Sequence, residues 1–165
     1  MDQRKLSKLL MLAGGMAVLG VVFLFYVMAV FLLPSRTSTT GMLFAAAQMG
    51  MGLPYLFALG HYFRICKNIG DDRSFCPENA RRMDAIARLL FIASGLWAAG
   101  LVLIPLLGGG EAVSGYITQA FGPIALYVRM ALALLATLAV GLVAKMMALL
   151  VGRASRLQEE NDLTI

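Results

Sequence analysis

The chain has 165 residues, of which 60% are hydrophobic and only 14% charged, with a mean hydropathy of +0.81. Soluble domains carry about 25% charged residues, so the composition excludes an ordinary soluble fold. It predicts an all-α, polytopic integral membrane protein whose single domain covers residues 1–165. The formal charge of +5 matters mainly through its placement.

Four segments meet the bilayer's requirement for roughly 20 apolar residues. Because lipid offers no partner to a backbone amide, helices are predicted rather than strands. The first span, residues 9–33, contains no Asp, Glu, Lys, Arg or His. It exceeds the roughly 7–15 apolar residues of a cleavable signal, and no small-x-small site follows "FLLPSRTSTT". An anchor helix is therefore expected.

The second span, residues 42–63, has Gln48 near its middle, expected to hydrogen-bond to a neighbouring helix. Pro54 removes a ladder bond to Gly50 and should bend this helix.

Residues 64–85 form a basic connection. Gly70-Asp71-Asp72 is turn chemistry. Pro77 suits the first position of a helix, with Cys76 at its N-cap and Glu78 favourably placed at the positive helix end. That helix should run unbroken into the third span, residues 86–107, with Met83, Ile86 and Leu90 on one apolar face. Asp84 is spaced to pair with Arg88 and with Arg81. Cys66 and Cys76, with His61 the only histidine, do not make a metal-ligand set. Unpaired thiols are expected, and no metal or cofactor is implied.

Between the third and fourth spans lies "GGGEAVSGYITQAFGP", where Gly108 to Gly110 read as a helix stop after Pro105. The fourth span, residues 124–151, is uninterrupted only between Arg129 and Lys145. Both lie close enough to the membrane edges to snorkel to water, and no acidic residue lies inside a span to pair with Lys145. Ala133, Thr137 and Gly141 form a small-residue seam for close approach of another helix, from this chain or a second copy. Beyond the span, Leu150, Ala154 and Leu157 continue a helical stripe into a tail, residues 152–165, where Arg156 can reach Glu159 or Glu160. The tail carries Glu159, Glu160 and Asp162, then ends Leu163, Thr164, Ile165.

Cations set the orientation. Arg4, Lys5 and Lys8 precede the first span, Arg64, Lys67, Arg73, Arg81, Arg82 and Arg88 cluster between the second and third, and Arg153 and Arg156 follow the fourth. The opposite connections hold only Arg36. The positive-inside rule then puts both termini and residues 64–85 in the cytoplasm. There, thiols stay reduced.

The stretch "RSFCPENARRMDAIARLL" together with the terminal "LQEENDLTI" resembles the bacterial membrane family catalogued as domain of unknown function 2975. Members carry a phenylalanine–polar–x–glutamate–asparagine–alanine–x–arginine run before helix three, which falls here on Phe75, Glu78, Asn79, Ala80 and Arg82. Their glutamate-rich ending falls on Leu157, Glu159, Glu160, Asp162, Leu163, Thr164 and Ile165. The resemblance covers essentially the whole chain in span order and loop lengths. One departure is Cys76, where members often place serine or threonine, a loss of capping worth about 1 kcal/mol.

The resemblance implies a four-helix protein of the bacterial inner membrane with no assigned activity. It also implies a partner, because such genes often stand beside one for a small cytoplasmic helix-turn-helix regulator. The expected function is a non-enzymatic interaction protein in the lipid bilayer, possessing no DNA-reading element of its own. Its expected docking residues are Phe75, Glu78, Asn79, Arg81, Arg82, Leu157, Glu159, Glu160, Asp162, Leu163 and Ile165. The competing reading is a small transporter or channel component, acting singly or as a homo-oligomer, with Gln48, Arg129 and Lys145 on its path. The tail itself has two readings: a clasp over Arg73, Arg81 and Arg82, with Leu157, Leu163 and Ile165 packing near Met83 or Phe75, or a seat for the partner.

Overall fold

The computed structural model describes residues 3–32, 39–71, 73–106 and 117–162. Gln48's side chain, Arg36, Gly108 to Gly110 and the terminal Leu163, Thr164 and Ile165 lie outside the described residues, as does the side chain of Asp162. The described residues form four helices: α1 (Gln3–Leu32), α2 (Thr39–Gly70), α3 (Pro77–Leu106) and α4 (Ile117–Asp162). No strand occurs among the described residues.

Two helical segments, Pro77–Leu103 and Tyr127–Asn161, are long and apolar enough to cross a membrane. Only 28% and 22% of their most apolar windows are buried inside the molecule. Core helices of soluble proteins pass the same length test but are mostly buried, whereas these two are largely exposed. Leu132, Leu135, Val143 and Met146 are among the large apolar side chains that α4 leaves exposed.

Helices pack mainly on their chain neighbours, α1 on α2, α2 on α3 and most extensively α3 on α4. The α3–α4 pair is antiparallel and long. A Cβ at Gly100 would meet Met130, one at Gly141 would meet Leu90 and Phe91, and one at Gly152 would touch Ala80. Small residues therefore set the separation along the entire pair, and the seam at Ala133, Thr137 and Gly141 serves helices of this same chain. Met130 is fully buried, with Trp97, Leu101 and Tyr127 packed against it.

The buried line of α4 runs through Ala148, Val151 and Ser155. This differs from the expected stripe of Leu150, Ala154 and Leu157, of which Leu150 and Leu157 are exposed. The physical reason is proximity: α3 comes close enough to demand small side chains, and bulky leucines turn outward.

The α1–α2 pair is antiparallel as well, since Ser7 Oγ donates to the Cys66 carbonyl at 2.7 Å and Tyr62 OH to the Leu10 carbonyl at 3.0 Å. The start of α1, the end of α2, the start of α3 and the end of α4 consequently gather at one end of the molecule.

Candidate functional site

At that shared end, the short turn between α2 and α3 is held by Asn79. It occupies the first turn of α3 and is 1% exposed. Its Nδ2 donates backwards to the carbonyls of Arg73 and Ser74 at 3.0 and 3.1 Å. Its Oδ1 accepts from Asn68 Nδ2 on α2 at 2.8 Å. Arg73 N–H closes the turn on the Asn68 carbonyl at 2.9 Å. One asparagine thus fixes the turn's conformation and ties α3 to the last turn of α2, satisfying carbonyls that no helix ladder reaches.

Cys76 sits at the N-cap, as the sequence predicts, and its carbonyl accepts from the amides of Asn79 and Ala80 at 3.0 and 3.4 Å. Its thiol takes a long contact from Asn68 Nδ2 at 3.7 Å. Both cysteines are free thiols. Burial pushes the Cys66 thiol up, keeping it protonated and unreactive.

The charged residues divide into paired and open ones. Arg82 pairs with Glu78 at 3.6 Å within α3. Asp84 pairs with Arg88 at 3.1 Å, as its spacing predicts, but not with Arg81. Its other partner is Lys145 of α4, Nζ to Oδ1 at 2.5 Å. Lys145, expected to snorkel to water with no acid inside a span to pair with it, keeps a 46% exposed side chain and meets an acid from outside the spans. Antiparallel packing brings Asp84 across from the edge of α3.

Of the expected docking residues, Phe75 and Leu157 are 59% and 62% exposed. Glu78, Arg81, Glu159 and Glu160 are exposed, Arg82 is half-buried, and Asn79 shapes the surface from beneath. Because Gly152 faces Ala80, the last helical turns of α4 extend beyond the start of α3 at Pro77. Counting on from buried Ser155 by helical repeat, Glu159 continues the face that packs on α3, now past its end.

Deeper in the molecule lies a network absent from the sequence reading. Trp97 Nε1–H donates to Tyr55 OH at 2.9 Å, and Tyr55 OH lies 2.7 Å from Thr137 Oγ1. Thr137 spends its own proton on the Ala133 carbonyl at 2.7 Å, so Tyr55 must be the donor to Thr137. The relay runs Trp97 to Tyr55 to Thr137 to the backbone and joins α3, α2 and α4. Its signal in the sequence was Trp97, the only tryptophan, whose indole N–H needs a partner in an apolar span. Tyr55→Phe should lower stability in detergent by about 1–2 kcal/mol, since it orphans one donor and one acceptor. Thermal unfolding followed by circular dichroism checks this, and Phe57→Leu on an exposed face should change little.

Among the described residues, no three His, Cys, Asp or Glu side chains gather as metal ligands would. The structure thus defines an all-helical protein with two helices fit to cross a membrane and a rigid polar turn beside a protruding acidic helix end. The chain belongs to the family described as "Protein of unknown function (DUF2975)", whose family model matches residues 36–165. That match begins after α1, so the family signature rests on α2, α3, α4 and the turn they enclose. No curated protein and no solved structure matches the chain.

Proposed function

We propose that this is a four-span protein of the bacterial inner membrane with both termini cytoplasmic, and that it acts without enzymatic chemistry by docking a cytoplasmic protein at its shared helix ends. The partner implied by the family resemblance is a small helix-turn-helix regulator, which docking would hold at the membrane. One observation carries this reading: α4 continues as helix to Asp162, past the start of α3, and exposes Leu157 and Glu159 at the same end of the molecule that exposes Phe75. Exposed apolar anchors ringed by charge are the usual make-up of a protein-binding patch.

Two features support the topology. Converging helix ends put both termini on one side, and exposed Lys5, Lys8, Arg64, Lys67, Arg73, Arg81, Arg153 and Arg156 crowd that side. The transporter reading places Lys145 on a polar path, but its engagement by Asp84 favours a structural post at the membrane edge.

The test is affinity purification of the full-length protein beside a chain lacking residues 157–165, from membranes cross-linked under mild conditions. A helix-turn-helix protein captured by the first and lost from the second is the expected result. An identical catch from both, or no cytosolic protein from either, overturns the docking role of the tail.

A further inference from the structure

The α1–α2 pair carries a second surface, away from the tail. Its seam is tight: besides the bonds from Ser7 and Tyr62, a Cβ at Gly14 would stand 2.7 Å from the Tyr62 ring. Counting about 100° per residue along each antiparallel helix from the Ser7–Cys66 contact, residues fall into facing pairs on one flank of this seam. Lys8 faces Lys67, Gly15 faces Gly60 two turns further in, and Leu19 faces Leu56 another turn on. The other flank of α2 carries Ala58 and Ile65, both buried.

Exposure agrees with this placement. Lys8 and Lys67 are exposed, Leu19 and Leu56 are 69% and 42% exposed, and a Cβ at Gly15 or Gly60 would meet nothing within 4 Å. The flank is therefore a shallow trough: a lysine pair at its mouth, a glycine floor about 10 Å inward, and leucines beyond.

Among the described residues no carboxylate pairs with its lysines, although Asp71 follows Lys67 by four positions. Neither α1 nor α2 contains an Asp or Glu, and Lys5 and Arg64 add charge from the outer sides. Among the described residues none of these four cations makes an ion pair. On the α3–α4 side Arg82, Arg88 and Lys145 have carboxylate partners, while Arg81, Arg129, Arg153 and Arg156 stand in none of these pairs.

We propose that this flank binds an anionic phospholipid of the cytoplasmic leaflet, with its phosphate between Lys8 and Lys67 and an acyl chain laid over Gly15 and Gly60 against Leu19 and Leu56. Basic sites between membrane helices on the cytoplasmic side suit such headgroups. A zwitterionic headgroup would set its own ammonium against the lysines. A second copy related by two-fold symmetry would set the lysine pairs against each other. The inference rests on the membrane orientation proposed above and not on the tail's partner.

The experiment titrates the full-length, detergent-purified protein with phosphatidylglycerol or phosphatidylethanolamine and counts bound lipid by native mass spectrometry. Phosphatidylglycerol should be preferred. Lys8→Gln with Lys67→Gln should weaken its binding about ten-fold or more, while arginine at both positions should preserve it. Gly15→Leu with Gly60→Leu should also weaken binding with every charge intact. Arg153→Gln with Arg156→Gln, equal in charge lost, should leave it unchanged. Equal retention of both lipids, equal loss in the Arg153 and Arg156 control, or displacement of the lipid by inorganic phosphate overturns the proposal. So does a change of oligomeric state, instead of lipid binding, in the glycine pair. The lysine pair reads the site even where the glycine pair disturbs folding. Because tail deletion is scored separately by protein capture, failure of either proposal leaves the other standing.

Discussion

Replacing Asn79 with leucine should destabilise the protein by about 2–4 kcal/mol. The substitution removes the donor to the carbonyls of Arg73 and Ser74 and the oxygen acceptor of the Asn68 amide. Unpaired buried groups each cost about 1–3 kcal/mol, and water entering at exposed Arg73 offsets part of that sum. Thermal unfolding in detergent measures the loss, and faster proteolysis within residues 71–76 should accompany it. Asn79→Asp tests the mechanism more narrowly. It keeps an acceptor for Asn68 but sets a carboxylate against two carbonyl oxygens, so it should not rescue stability. Arg81→Leu, two positions on and exposed, should stay within about 0.5 kcal/mol. If Asn79 were instead a direct contact for a partner, its loss would abolish capture and leave the unfolding midpoint unchanged.

Gly141→Leu should be damaging for a different reason. A Cβ there already stands 3.2 Å from the Phe91 ring and 3.3 Å from Leu90 Cβ. The remaining atoms of leucine must force α3 and α4 apart along their most extensive contact. Overpacking of this kind costs about 1–3 kcal/mol, and lost packing toward the Lys145–Asp84 pair adds to it. Gly95→Leu is the control, because a Cβ at Gly95 meets nothing within 4 Å. A midpoint lowered equally by both would show that added apolar bulk or detergent binding, not close packing, sets the effect. A midpoint lowered only by Gly141→Leu supports the close α3–α4 approach.

The sequence made α3's start legible because its signals are local. Pro77 has no amide to lose, Cys76 precedes it, and nothing downstream interrupts the helix. It also identified Asn79 as part of a signature, but as a docking residue, since its partners Asn68, Arg73 and Ser74 are defined only once the turn closes. The tail's carboxylates were equally visible. Their position past the start of α3 follows from the small residues Gly141 and Gly152, which fix how the two helices align.

Composition and hydrophobic run length by themselves determined the class: apolar helices joined by charged ends, because lipid admits helices that satisfy their own backbone and penalises charge within them. Which residue meets which was decided by the tertiary structure alone. Lys145 finds Asp84 across 61 positions of chain, and Trp97 finds Tyr55 and, through it, Thr137. The reason is physical. Within one helix only neighbours three or four apart can touch, whereas pairing between helices depends on how closely they approach. Here glycines and other small residues set that approach, and they carry no polar signal of their own.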